Sequence, residues 1–213
     1  MPGTRVTSNA RPKTIHDFYG FPKQLYDMEY PCPGSPELAE RVAELTGAQL
    51  DDGWGLDHGS WTLLTHMYPA ADIPVVQLSL DTSKSPQEHM QLAQRLLPLR
   101  EEGVLILGSG NVVHNLRTVD RSGLQGPAAW AKRVSDRVRS WILQRDFDSV
   151  AAYERHGADF QTAINSAEHF LPLLYVLGAS SPRDEVKVVS HELQWGSLDM
   201  TSYVFNPQPV TVN

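Results

Sequence analysis

The arrangement that most constrains the fold is an apolar segment, an amphipathic segment and a second apolar segment in the middle of the chain. The first, IPVVQLSL at residues 73–80, is apolar enough to form a strand that is covered on both faces. In the second, Ser85 and Glu88 form a capping box and Gly103 closes the amphipathic pattern, which predicts a helix. The third, residues 104–109, predicts another strand. A strand, a helix and a strand in this order indicate a βαβ unit and therefore a parallel sheet.

Other periodic segments predict helices and strands around this unit. Ser35 begins an amphipathic pattern that Gly47 ends, and apolar residues repeat at helical spacing across residues 130–141. The segment HFLPLLYVLGA predicts an apolar helix with Pro172 in its first turn, while EVKVVSHEL and SLDMTSYVF alternate like strands. We therefore predict one α/β domain over residues 1–213, with a central mixed, largely parallel sheet flanked by helices.

Composition and charge limit the partners and the compartment. With 41% hydrophobic residues, the 213-residue chain can bury one sizeable core. A net charge of −7, without any Lys/Arg cluster larger than a pair, disfavours a nucleic-acid partner. No apolar run approaches the roughly 18 residues of a membrane helix, and the N-terminal MPGTRVTSNARPK lacks the apolar core of a secretory signal. The single cysteine, Cys32, fits a reducing compartment, so we expect a cytoplasmic protein.

His114 follows the second predicted strand through the sequence GSGNVVH. Binding sites of parallel sheets gather beyond the carboxyl ends of the strands, and glycines there let a ligand or a backbone come close. His114 is therefore a candidate functional residue. A core histidine whose nitrogens are satisfied by backbone groups fits the same position and is the alternative.

Three further histidines are candidate functional residues. His169 comes at or just before the N-terminus of the apolar helix, whose positive end disfavours imidazolium; an ordinary capping residue is the alternative. His58, in GLDHGSW, is either an oriented base or part of a turn. His16 belongs to an aromatic loop, in which Phe18 either lines an aromatic substrate or anchors the loop.

Motifs of other catalytic classes are missing from the sequence. There is no G-x-S-x-G nucleophile elbow, no phosphate-binding loop and no full dinucleotide fingerprint. Separated histidines at loop and strand ends favour a mononuclear metal site over nucleophilic catalysis. A zinc-dependent hydrolase that uses the same histidines is a further alternative.

Five segments that span nearly the whole chain resemble, in the same order, the class III extradiol ring-cleaving dioxygenases. The branch that they resemble is the 4,5-DOPA dioxygenase type. The segments are TIHDFYGFPKQLYDMEYPCPGSPELA, WGLDHGSWTLLTHMYPAADIPVVQLSLD, LILGSGNVVHNLRT, EHFLPLLYVLGA and GSLDM. A short motif such as DHGSW carries little information alone, whereas five long segments in order are specific.

The resemblance implies an α/β domain with a non-haem Fe(II), or a Zn(II), at the carboxyl edge of its sheet. It also implies an oxidoreductase that inserts both atoms of O2 into a DOPA-like catechol and opens the ring beside the two hydroxyls. By position, His169 matches a metal ligand, and His114 matches the acid/base histidine that also contacts the metal. His58 matches a histidine that orients substrate and oxygen. His16, with the neighbouring Asp17 and Phe18, would lie at the substrate mouth.

The chain departs from the family at its N-terminus. It contains neither the GHGSP-like segment nor the SAHW-like segment, so two expected metal ligands and two central strands are missing. Three explanations remain open: a truncated form of an active enzyme, a shortened inactive relative that serves as a binding or scaffold protein, or substitution of the ligands by His16 or His58. Missing strands would also leave an exposed sheet edge, which favours a homodimer.

Overall fold

A computed structural model describes residues 2–124 and 126–206 of the chain. The chain divides into two compact units, one that ends at Ser83 and one that begins at Lys84. Helices and short strands occur in both, which confirms the predicted α/β class. Among the described residues, no helix has the length and apolar character needed to cross a membrane.

The first unit is organised by a short sheet and three helices. The elements are β1 (Arg5–Thr7), α1 (Lys23–Tyr26), α2 (Pro36–Thr46), β2 (Gln49–Asp51) and α3 (His58–Met67). β1 and β2 pair in parallel, and Val6 forms an isolated bridge with Leu78 on the other side of β1. As predicted, Ser35 caps α2 by accepting a hydrogen bond from the Leu38 N–H, and Gly47 ends the helix with φ 76°.

The core of this unit forms around Trp61, whose side chain is almost fully buried with Leu56, Tyr30, Cys32 and Leu64. The indole N–H of Trp61 donates to the Ile15 carbonyl at 2.9 Å. This bond ties the loop that contains residues 15–18 to α3, since Trp61 lies on that helix. A buried indole that is both packed and hydrogen-bonded fixes the loop more firmly than packing alone.

The second unit is mainly helical, with two antiparallel strand pairs. Its elements are α4 (Pro86–Gln94), α5 (Leu97–Glu101), α6 (Ala129–Gln144), α7 (Phe147–Ala151), a 3₁₀ turn (Tyr153–Arg155), α8 (Ala158–Ala163), α9 (Leu171–Gly178), β3 (Glu185–Ser190), β4 (Leu193–Gln194), β5 (Leu198–Asp199) and β6 (Ser202–Asn206). β3 pairs with β6, and β4 pairs with β5. The predicted capping box of Ser85 and Glu88 is present at the start of α4.

Helices α4 and α9 pack closely because small residues meet at their crossing. A Cβ atom on Gly178 would lie 2.4 Å from the Met90 carbonyl oxygen and 2.7 Å from the Ala93 Cβ. Nearby, the fully buried His89 places Nδ1 2.9 Å from the Tyr175 hydroxyl, one polar contact between the two helices. This packing holds the second half of α9 against α4.

The two strands predicted at residues 73–80 and 104–109 are not formed as regular strands. In the first segment, Leu78 makes a bridge with Val6, the Gln77 carbonyl accepts from the Thr7 N–H, and the Ser79 N–H donates to the Arg5 carbonyl. The backbone of residues 105–110 forms no hydrogen bond with the backbone of any other described residue. Apolar character predicts that a segment is suited to a strand, whereas a ladder also needs a neighbouring strand in register. Within the described residues, the second segment has none, and Leu105 is 62% exposed.

A buried carboxylate joins three parts of the second unit. Asp184 accepts two hydrogen bonds from the Arg100 guanidinium, at 2.6 and 3.1 Å, while Arg145 donates to its backbone carbonyl. Burial opposes ionisation of this carboxyl, but the hydrogen bonds from Arg100 and the Ser181 N–H and the charge of Arg145 hold its pKa below the usual value. Arg100 also donates to the Phe205 carbonyl at 3.2 Å, which connects the ion pair of Arg100 and Asp184 to β6.

Replacing Asp184→Asn should lower the free energy of unfolding by about 3 kcal/mol, because it removes the buried charge that pairs with the partly buried Arg100. In the unmutated protein, the contribution of Asp184 is present above the carboxyl's unfolded pKa and is lost as the pH falls below about 4. Urea unfolding at several pH values measures both effects. The matched control is Asp159→Asn, which breaks an exposed pair with Arg133 and should cost below about 1 kcal/mol. Equal losses in the two variants would contradict this account.

Candidate functional site

The second unit brings the backbones of His114 and His169 together through a close approach at Gly110. A Cβ atom there would lie 2.0 Å from the His169 carbonyl oxygen, which only glycine avoids. The N–H of Asn111 donates to that same oxygen at 2.8 Å, and the His114 N–H donates to the Ala163 carbonyl at 3.0 Å. The segment 111–114 is thus hydrogen-bonded at both ends of the connection between α8 and α9, at Ala163 and at His169.

His169 lies immediately before Phe170, the N-cap of α9, as predicted from the position of Pro172. The imidazole rings of His169 and His114 are stacked, with centroids 3.6 Å apart and an angle of 16° between their planes. Both residues are half-buried. The structure therefore brings together the two histidines that the sequence analysis selected. The sequence predicted this proximity only through the resemblance to the family.

Burial lowers the pKa of His114 below the usual value for an imidazole, while the charge of Glu168 opposes this effect. Burial also disfavours the ionised form of Glu168, but a hydrogen bond from Ser166 and the charges of the two histidines lower the pKa of this carboxyl. The Ser166 hydroxyl donates to Glu168 at 2.7 Å. His114 is therefore a neutral imidazole at neutral pH, a form that can accept a proton.

The stacked pair does not by itself form a complete metal site. A cation shared by two imidazoles lies in the plane of each ring, along a nitrogen lone pair, and nearly parallel rings face to face do not direct their lone pairs at one point. Across residues 2–124 and 126–206, no group of three or more His, Cys, Asp or Glu residues has an arrangement suited to a metal ion.

The first unit brings together the other four candidate residues around the N-terminus of α3. Asp57 caps this helix by accepting a hydrogen bond from the Ser60 N–H at 3.1 Å, so His58 occupies its first position. Nδ1 of His58 lies 2.8 Å from Oδ1 of Asp17, and the backbone N–H of His58 donates to the same oxygen at 3.0 Å. Hydrogen bonds from the His58 backbone and side chain lower the pKa of Asp17 in spite of the opposing effect of burial.

Aromatic rings surround this pair. Phe18 lies edge-on to His58, with ring centroids 5.8 Å apart, and contacts Tyr26 and Trp61 at 5.1 and 6.1 Å. His16 packs 5.5 Å from Trp61 and directs Nε2 at the Met28 carbonyl, 2.9 Å away. Sequence reasoning missed Trp61, although its spacing of three residues from His58 places both on one side of a helix.

The sequence of the chain matches, over residues 1–206, the family described as the catalytic LigB subunit of aromatic ring-opening dioxygenase. The chain belongs to the LigB family. It is 45% identical over 208 residues to the 4,5-DOPA dioxygenase extradiol of Escherichia coli K12, covering 94% of this chain and 76% of that protein. It is 36% identical over 198 residues to the 4,5-DOPA dioxygenase extradiol of Beta vulgaris, with 90% and 74% covered.

A solved structure shows the same fold. The crystal structure of an uncharacterized protein from Escherichia coli K12 superposes on this LigB-family chain with a TM-score of 0.82 and 39% sequence identity, covering 95% of this chain and 80% of that one. These matches confirm the class III extradiol dioxygenase superfamily that the sequence motifs indicated. They do not test the roles of individual histidines, which stay predictions.

Replacing Gly110→Ala should disrupt the junction between the His114 segment and α9, because the new methyl group would overlap the His169 carbonyl. We expect a loss of about 2 kcal/mol in the free energy of unfolding, the range of overpacked sites. Gly126→Ala is the control, since a Cβ atom there meets nothing within 4 Å, and it should change stability by less than about 0.5 kcal/mol. Thermal unfolding followed by circular dichroism measures both. Indistinguishable midpoints would show that the close approach is absent in solution.

Proposed function

We propose that this chain acts as an extradiol ring-cleaving dioxygenase on a small catechol of the DOPA type, with O2 as the second substrate. Membership of the LigB family supports the reaction class. The observation that carries the proposal to particular residues is the stacked pair of His114 and His169, which concentrates two imidazoles beside an ionised carboxyl. Such a pair is suited to handling the protons that a catechol loses when it is activated.

The resemblance implies a bound Fe(II) or Zn(II), with His169 and His114 as its protein ligands. When bound, such an ion would hold the catechol and O2 side by side. The described residues fit this role only in part, because the two rings are stacked and no third ligand lies with them in an arrangement suited to a metal. We therefore assign to this chain only the steps that its own side chains can perform.

The step that we assign to His114 is removal of a proton from a catechol hydroxyl. A neutral imidazole is required for it, and burial favours the neutral form by lowering the His114 pKa. For His58 we propose the role that the resemblance implies, to orient substrate and oxygen. His16, Asp17 and Phe18 are proposed to contact an aromatic substrate, in keeping with the exposed rings of Phe21 and Tyr19 beside them.

A non-catalytic binding or scaffold protein on the same fold is the second candidate. The stacked geometry of the histidine pair and the absence of a three-residue metal group among the described residues favour it. In this case the aromatic cluster around Phe18 and Trp61 would still bind a small aromatic molecule. Binding without ring cleavage is the result that distinguishes this candidate from the first.

Anaerobic loading with Fe(II), followed by catechol and air, should give a yellow ring-opened semialdehyde. His114→Ala should reduce the initial rate by about 100-fold or more, the size of effect expected for loss of a general base. His66→Ala is the control, because His66 is exposed in the last turn of α3 and should leave the rate unchanged. Absorbance followed over time measures all three proteins. If the unmutated chain gives no product but binds catechol, the binding protein is the better description.

We also propose that the chain is cytoplasmic and forms a homodimer through the segment 104–109. The buried free thiol of Cys32 supports a reducing compartment. The exposed Leu105 and Leu107, on a backbone that makes no hydrogen bonds to other described backbone groups at residues 105–110, support pairing of this edge. Light scattering should give twice the chain mass, and Leu105→Asp should give the monomer mass. A monomer before mutation would exclude the dimer.

A further inference from the structure

We propose that Asp17 is a positioning residue that fixes His58 in the tautomer protonated at Nδ1, so that Nε2 of His58 is presented as a proton acceptor. The orientation follows from geometry alone. Its consequence for ring cleavage rests on the proposed function. Sequence reasoning placed Asp17 at the substrate mouth, and the structure points to a role that acts through the neighbouring imidazole.

The two hydrogen bonds to one carboxylate oxygen determine the tautomer. Oδ1 of Asp17 accepts from the His58 backbone N–H at 3.0 Å and lies 2.8 Å from His58 Nδ1. A carboxylate only accepts hydrogen bonds, so the hydrogen between Oδ1 and Nδ1 belongs to the imidazole. Asp17 is ionised at neutral pH, because the hydrogen bonds from His58 lower its pKa although burial opposes them.

Both partners are held by anchored parts of the first unit. On one side, the N-cap Asp57 fixes the first turn of α3, and Gln77 and Ser60 are hydrogen-bonded to each other and to Asp57. On the other side, the Trp61 indole holds the Ile15 carbonyl, two residues before Asp17. The carboxylate and the imidazole, both partly exposed, therefore meet because the two segments that carry them are each anchored.

The opposite edge of the His58 ring is open. No described residue is hydrogen-bonded to its Nε2, and the side chain of His58 is 43% exposed. Phe18 lies edge-on to the same ring, and Phe21, 55% exposed, packs 5.3 Å from Phe18. The His58 ring thus lies beside partly exposed aromatic rings, and its Nε2 is free to accept from the hydroxyl of an aromatic ligand.

His16 does not share this arrangement. Its Nε2 lies 2.9 Å from the Met28 carbonyl, which can only accept, so this nitrogen carries the hydrogen. Of the two histidines in the cluster, His58 is the one with a carboxylate partner at one nitrogen and an open acceptor at the other. A histidine oriented by a carboxylate is the arrangement that general bases use in unrelated enzymes.

The test is the tautomer of His58, measured by ¹⁵N NMR of the imidazole in the full chain. The unmutated protein should show a protonated Nδ1 and an unprotonated Nε2. Asp17→Ala removes the acceptor and should give the tautomer mixture of a free imidazole. Asp17→Asn keeps an acceptor oxygen and should retain protonation at Nδ1. Asp27→Asn is the control, since among the described residues the Asp27 carboxylate pairs with the exposed Lys23 alone.

Kinetics separate positioning from substrate contact. If Asp17 acts through His58, Asp17→Ala should lower kcat by about 10-fold to 100-fold with little change in KM, because a misdirected base still leaves binding intact. If Asp17 instead contacts substrate, KM should rise and the His58 tautomer should not change. That second result would overturn the proposal.

The outcomes also separate this proposal from the proposed function. Protonation at Nε2 of His58 in the unmutated protein overturns the role of Asp17 whatever the activity. Suppose that there is no ring cleavage, but that Nδ1 of His58 is protonated in the unmutated protein and this preference is lost in Asp17→Ala. This result supports the role of Asp17 and contradicts only the enzymatic function. If Asp17→Ala does not fold, the unmutated protein and Asp17→Asn still decide the tautomer, since both must show the hydrogen at Nδ1.

Discussion

The contact between Gly110 and the turn before α9 is the constraint on which the candidate site depends. Because Gly110 has no Cβ, its backbone lies against the His169 carbonyl, and Asn111 can donate to that same oxygen. The next residues along the chain then carry His114 to the Ala163 carbonyl and place the two imidazoles in a stack. A larger residue at this position would separate the segments that the pair needs.

The local signals in the sequence predicted the structure well. The caps at Ser35 and Ser85, the stop at Gly47 and the placement of Pro172 in the first turn of α9 are confirmed. Each depends on hydrogen bonds or dihedral angles within a few residues, which a sequence pattern can specify. For the same reason His169 was placed correctly at the start of its helix.

Signals that depend on distant neighbours predicted less. Neither segment expected to be a strand, 73–80 or 104–109, forms one: the first is hydrogen-bonded to β1 but has a single bridge, and residues 105–110 make no hydrogen bond to another described backbone group. Regular pairing requires a partner in register, which apolar character does not specify. The hydrogen bonds between Asp17 and His58 join residues 41 apart in sequence, and no motif marks them. The stacking of His114 on His169, and with it the incomplete metal geometry, likewise follows from tertiary packing that no local pattern describes.

The two groups of histidines have different chemistry. In the second unit, burial keeps His114 neutral beside Glu168, and the stacked rings lack a third metal ligand among the described residues. In the first unit, a carboxylate orients His58 beside exposed aromatic rings. Membership of the LigB family associates the chain with aromatic ring opening, and the roles of the individual histidines in each unit are proposals.

The adjacency of the imidazoles of residues 114 and 169 is the central claim, and a nuclear Overhauser experiment on the histidine ring protons tests it directly. Rings with centroids 3.6 Å apart should give strong cross-peaks between the two side chains. Ring protons that show cross-peaks only to separate apolar neighbours, and none to each other, would contradict it.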